Sequence, residues 1–226
     1  MARAGSTASK RDQIYESIKS DIISGKYPGG TFLLESELCE DFHVSRTPIR
    51  EALIRLAHDH IIEMYPKRGA FVPQVTVKDI LELYELRIAN DGVAAFLFTE
   101  NAAEEVVRQM EASVLREEAH LEHENYAGEV EEELLFHSLY ISNCGNQRMI
   151  DVIEMVNSQM LRIMTLAADK NGMEHMYASL NYHKKLIEAV REHDPHRARA
   201  IVEGHWLTAK RGLKQRYIEG TLSNRL

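Results

Sequence analysis

"VSRTPIREAL", residues 44–53, sets a serine, two arginines, a threonine and a proline at the start of an apolar-periodic run. Ser45 stands where a helix N-cap belongs, and Pro48 falls in the first turn, where its missing N–H leaves no bond unmade. Arg46 and Arg50 are four residues apart and so share one face at the helix tip, while Ile49, Leu53 and Leu56 form the opposite, inward face. A helix tip of this kind offers unpaired amides to phosphate and guanidinium forks to guanine edges in a major groove. A solvated helix start with ordinary arginines has the same local pattern, so the flanking segments decide the reading.

Upstream, Ile14, Ile18 and Ile22 recur at helical spacing until Gly25. Residues 26–30 read as a turn, Glu35–Phe42 as a short helix, and His43-Val44 as a tight joint before a helix over 45–58. Downstream, "IIEMYPKRGAFVP" at 61–73 is two apolar runs about a Pro-Lys-Arg-Gly turn, a two-stranded ribbon with a basic tip. Helix, helix, turn, helix and ribbon in this order outline a winged helix-turn-helix. Lys67 and Arg68 at the ribbon tip then reach a neighbouring phosphate or the minor groove, and Gly69 lets the turn close. The expected double-stranded DNA contacts are Arg46, Thr47, Arg50, Lys67, Arg68 and Gly69.

Charge agrees with a local patch. The chain carries 27 Lys and Arg against 35 Asp and Glu, and residues 1–73 balance to zero, so residues 74–226 hold the whole −8. Bulk charge repels phosphate, and nucleic-acid binding must come from the N-terminal segment. The two cysteines, Cys39 and Cys144, lack metal-type spacing, the first residues lack an apolar signal core, and no apolar run is long enough to span a membrane. A cytoplasmic protein is expected. The predicted organisation is mostly α: a tail over 1–10, a winged helix-turn-helix domain over 11–73, and an antiparallel six-helix bundle over 74–226, with helices at 76–99, 101–125, 128–142, 146–169, 173–193 and 195–220.

Eleven histidines are many for this length, and His120, His123, His175, His193 and His196 read as surface. Three others sit inside helices. Glu133 and His137 are four residues apart on one helical face. His183 and His205 lie 11 residues either side of Asp194, which an antiparallel hairpin sets at one height, about 16 Å from the turn. Three imidazoles and one carboxylate suit zinc, nickel or another borderline divalent metal ion; hydrogen-bonded core histidines fit the same spacing. On the first bundle helix, Ile80, Tyr84, Arg87, Asp91, Ala94 and Phe98 form an inward stripe. Arg87 there either anchors a carboxylate effector or pairs internally with Asp91.

Residues 12–73 resemble the winged-helix domain of GntR transcription regulators, most closely through "VSRTPIREALIRLAHDHIIEMYPKRGAFV". By that resemblance Arg46, Thr47, Arg50 and residues 67–69 contact DNA. His43 and His60 stand where the family usually has glycine at left-handed joints, and Ser36 where relatives often have arginine. Residues 76–220 resemble the all-helical effector domain of the FadR-like branch, the FCD domain, through "ELLFHSLYISNCGN", "NYHKKLIEAV" and "EGHW" in that order. That resemblance implies a metal held by Glu133, His137, His183 and His205, with Glu133 in place of the family's common aspartate. Six helices place the chain nearer the VanR-type subgroup.

The resulting expectation is a ligand-responsive transcription regulator, not an enzyme. It binds a palindromic operator as a homodimer, because one recognition helix covers only a half-site, and a small organic acid at the metal modulates it. Two alternatives share the motifs: a helical metalloenzyme acting on a small carboxylate, and a constitutive DNA-binding dimer with no effector.

Overall fold

The four-residue recurrence of Ile14, Ile18 and Ile22 builds α1, Lys10–Ile23, which Ser9 caps by accepting from the Asp12 amide. A computed structural model describes residues 9–66, 68–168 and 172–221; the expected tail lies outside them apart from Ser9 and Lys10. The chain divides into two compact units, one ending at Val75 and one beginning at Thr76.

In the first unit α1 packs against α3, Arg46–His58, and α2, Glu35–Phe42, packs against α3 as well. Their core joins Ile18, Ile22, Ile49, Leu53 and Leu56, all fully buried. The ribbon is a sheet of three strands among the described residues: β1 Phe32–Leu33, β2 Glu63–Tyr65 and β3 Gly69–Phe71, in the order β1-β3-β2, all pairs antiparallel. The sequence pattern shows only two of these strands, because two residues are too few to display a period. His43 and His60 adopt φ of 50° and 55°, the left-handed joints at which the chain reverses after α2 and α3.

The second unit is built from α4 Val77–Glu100, α5 Glu104–Glu122, α6 Tyr126–Ile141, α7 Gln147–Ala167, α8 Met173–Arg191 and α9 Pro195–Ile218. Four of these starts, those of α4, α6, α7 and α9, have a side-chain cap. Thr76 and Asp79 form a reciprocal capping box on α4, and Asn125, Asn146 and Asp194 cap α6, α7 and α9 through their side chains. Helix α6 therefore begins two residues before the expected start at 128. Gly128 sits in its first turn, where a Cβ would come within 2.4 Å of Asn125 Nδ2 and 2.7 Å of the His120 ring. Helix α9 packs on both α4 and α8, and α5 packs on α6 and α8. This places α4, α5, α6, α8 and α9 around an interior that is polar at its middle: Arg87, Asp91, Glu117, Glu133, His137, His183 and His205 are all buried. No helix is long and apolar enough among the described residues to cross a membrane.

Candidate metal centre and nucleic-acid interface

Three histidines from three helices meet in the bundle. His137 on α6 has its Nε2 3.2 Å from Nε2 of both His183 on α8 and His205 on α9. Glu133, one turn before His137, puts Oε1 3.2 Å from His205 Nε2. One ligand atom from each of the four lies within 4.8 Å of the others. Two ligands held about 2.1 Å from one ion at about 100° are themselves about 3.2 Å apart, so the spacing matches a shared cation.

The opposite ring nitrogens say the same. His183 Nδ1 faces both oxygens of Glu117, at 2.8 and 3.0 Å. His137 Nδ1 lies 2.6 Å from the Tyr140 hydroxyl, and His205 Nδ1 3.5 Å from Ser179 Oγ, whose hydroxyl donates to Glu133 Oε2 at 2.6 Å. A carboxylate on Nδ1 keeps the proton there and turns the Nε2 lone pair inward. With Nδ1 engaged outward, each Nε2 is placed to give its lone pair to a shared cation.

Protonation states suit metal binding. Burial pushes the His137 imidazole well below the usual histidine range, helped by the His205 and His183 charges. Burial likewise lowers His205 although Glu133 pulls the other way. For His183 burial is outweighed by Glu117 and Glu133, and its pKa rises. Glu133 is pulled up by burial but more strongly down by His205, His183 and Ser179, to about 2. An ionised Glu133 and two rings that burial keeps neutral suit a divalent ion, which competes with a proton at His183.

A cavity opens beside Glu133 and His205. Tyr84, Met164, Met176, Tyr182, Leu213 and Arg216 are among its walls, mostly apolar with a few polar groups, as in small-molecule sites. Arg216 is already engaged in its wall, donating to the backbone oxygen of Ala167 at 3.1 Å. His175, expected on the surface, is exposed overall but lines the cavity, and its ring covers Gly212, where a Cβ would come within 2.6 Å.

Arg87 does not line this cavity. It is fully buried, with Nε 2.9 Å from Asp91 Oδ2, a contact close enough for an ion pair but not aligned as a hydrogen bond. Nη1 donates to Asn157 Oδ1, and the guanidinium carbon lies 4.5 Å from the Trp206 ring centre. The Trp206 indole N–H in turn donates to Asp91 Oδ2 at 2.8 Å. Burial pushes Asp91 up to about 6 against the pull of Arg87 and Trp206. Of the two roles open to Arg87, the observed contacts are those of the internal pair.

Glu117, Tyr140 and Ser179 went unnoticed in the sequence. Their signal was present: Glu117 shares the buried stripe of α5 with Val107, Met110, Val114 and Leu121, where a bare acid is costly unless it has a task.

In the first unit, Arg46, Thr47 and Arg50 are exposed at the start of α3, and Arg68 is exposed at the ribbon tip; Lys67 lies outside the described residues. Arg46 and Arg50 enter no ion pair among the described residues. Arg55 on the same helix differs: it lies 3.8 Å over the Tyr15 ring and 3.1 Å from Asp12. Ser45 has the extended backbone of an N-cap, but its side chain makes no capping bond, which leaves the first amides of α3 without that partner. Gly69 is doubly required. Its φ is +92°, and a Cβ there would lie 2.6 Å from the Leu33 oxygen on β1.

Comparison with known proteins agrees with this two-part design. The family model for bacterial regulatory proteins of the gntR family matches residues 10–72, and the model for the FCD domain matches residues 82–208. The HTH-type transcriptional regulator YdhC of Bacillus subtilis is 26% identical over 201 residues, covering 86% of each chain. The HTH-type transcriptional repressor RspR of Escherichia coli is 26% identical over 182 residues, covering 80% of this chain and 79% of its own. Among solved structures, McbR/YncC of E. coli superposes with a TM-score of 0.75 at 20% identity, over 93% of this chain and 100% of that one. Lar of Listeria monocytogenes gives 0.64 at 16% identity, over 94% and 99%.

Proposed function

Because the chain belongs to the GntR family of bacterial regulatory proteins and carries an FCD domain, we propose that a small organic acid, seated beside a divalent metal ion in the bundle, controls its grip on DNA. The chain is a DNA-binding transcription regulator and not an enzyme, as its relatives are. Glu133, His137, His183 and His205 hold the ion, zinc or nickel, and the observation that carries this is the convergence of three Nε2 atoms whose Nδ1 partners face away from the centre. A divalent ion with open positions there receives carboxylate oxygens from the cavity side, where Glu133 and His205 form part of the wall. Ser179, Glu117 and Tyr140 orient the ligands. Arg87, paired with Asp91 behind the cluster, supports the acid's site by setting the position of Trp206 and the charge around His137.

At the DNA end, Arg46, Thr47 and Arg50 read or hold the major groove, and residues 67–69 reach the flanking backbone. The reading domain spans 11–73 and the effector domain 74–226. Two copies bind a palindromic operator in the cytoplasm, since each chain supplies one reading helix. Six helices in the effector unit, among the described residues, support a place in the VanR-type subgroup. The test is operator affinity by fluorescence anisotropy, with and without a panel of small carboxylates, in metal-loaded and chelator-treated protein. An acid that shifts affinity only in the metal-loaded protein is the expected result. Operator binding that no acid changes would favour a constitutive dimer.

A further inference from the structure

The effector cavity is largely apolar, with Val130, Met164, Met176 and Leu213 in its walls, yet a buried acid faces it. Glu129 is only 2% exposed and lines the cavity one helical turn before Glu133. Its carboxyl makes no hydrogen bond or ion pair among the described residues. The charges nearest to it are alike, Glu133 and Glu117, and with burial they push its pKa up to about 9. The one guanidinium in the wall, Arg216, is engaged with the backbone oxygens of Ala167 and Thr221. A buried carboxyl with no partner, aimed into an open space, is otherwise avoided in folded proteins.

We propose that Glu129 is the specificity-determining residue of this cavity and that it selects an amino acid: the effector's carboxylate goes to the ion beside Glu133 and His205, and its ammonium group to Glu129. The proposal rests on the metal-site reading above and adds the chemical class of the effector. Distance supports it. Four residues along α6 are about 6 Å, so carboxylate and ammonium sites lie within the span of an α- to γ-amino acid. Charge agrees with it. Arg87 and Asp91 pair, and the carboxylates of Glu117 and Glu133 balance a divalent ion, while Glu129, with no cationic partner, is held protonated by burial and its acidic neighbours. An ammonium group set against Glu129 supplies the counter-charge that lets it ionise, and a plain carboxylic acid lacks that group. Met164, Met176 and Leu213 then take the apolar body.

The test is isothermal titration of the zinc-loaded full chain with matched pairs: α-, β- and γ-amino acids of increasing chain length, each beside the carboxylic acid lacking the amine. Unmodified protein, Glu129→Gln and Glu129→Leu are compared, with zinc content and melting temperature measured for each. The expected result is at least one amino acid that binds tighter than its deaminated counterpart by about tenfold or more, as one charge-assisted bond supplies. Both substitutions should erase that preference while leaving zinc content and binding of the deaminated acid unchanged. A preference for deaminated acids, no binding of any amino acid at millimolar concentration, or a preference that survives both substitutions overturns the proposal. If the protein takes up no zinc yet keeps a Glu129-dependent preference, the metal reading falls and the role of Glu129 stands. If zinc is bound and no preference exists, the role of Glu129 falls alone.

Discussion

Glu117→Gln separates a group that tunes a metal ligand from one that merely fills the core. Glu117 holds His183 Nδ1 between two oxygens at 2.8 and 3.0 Å. The substitution keeps shape and one acceptor oxygen but removes the charge that raises the basicity of His183 Nε2. Loss of such a partner lowers metal affinity about 10–100-fold, or about 1.4–2.7 kcal/mol. With zinc in fixed excess this difference subtracts directly from metal-linked stability. At about 2–4 °C per kcal/mol for a domain of this size, the zinc-induced rise in melting temperature should shrink by about 3–11 °C. The metal-free protein should lose less, because there the amide oxygen still accepts from Nδ1–H. The assay is thermal unfolding of both proteins with chelator and with zinc, backed by competition with a chromophoric chelator. An undiminished zinc-induced rise would refute the reasoning, and so would an equal drop with and without metal.

Arg50→Ala should cost about 1–3 kcal/mol on the specific operator and little on random duplex, whereas Arg68→Ala should weaken both and flatten the salt dependence; anisotropy on both duplexes distinguishes them. Gly69→Ala combines φ of +92° with a Cβ 2.6 Å from the Leu33 oxygen, so it should destabilise the winged unit by more than about 1 kcal/mol in urea titration. Arg87→Ala leaves fully buried Asp91 without its ion-pair partner and should cost about 3–5 kcal/mol; in a double-mutant cycle, adding Asp91→Ala should recover part of it, and strict additivity would contradict the pair. Zinc occupancy under limiting zinc should be full in mildly alkaline buffer and fall as pH drops. His183, whose pKa lies above the ordinary 6.5, protonates first, and His205 and His137, held below it, follow.

Much of this architecture is legible in one chain because its signals are local. Asp194 followed by Pro195 marks the turn between α8 and α9, and two uninterrupted antiparallel helices make equal counting place His183 beside His205, with ring centres 5.3 Å apart. Glu133 and His137 need only one helical turn. The left-handed joints at His43 and His60 are legible through the family resemblance, which sets glycine there, and not from the histidines themselves. What is hidden depends on which helix faces which. Glu117 reaches His183 from 66 residues away, and Asn157 reaches Arg87 from 70, distances that periodicity cannot bridge. Spacing alone left Arg87 as anchor or as partner of Asp91, since both roles need the same inward face. Strand β1 is two residues long and gains its identity from pairing with β3. The Ser45 hydroxyl makes no cap bond although the backbone there is that of a cap, so residue type predicts the place of a helix start better than the bond itself.

Elemental analysis of the full chain, purified without chelator, tests the central claim most directly. The account predicts one divalent ion per chain, zinc or nickel, lost in His183→Ala and His205→Ala while operator binding by the N-terminal unit persists. Protein that carries no such ion, and takes up neither zinc nor nickel after dialysis, would contradict it and return Glu133, His137, His183 and His205 to the role of a hydrogen-bonded core.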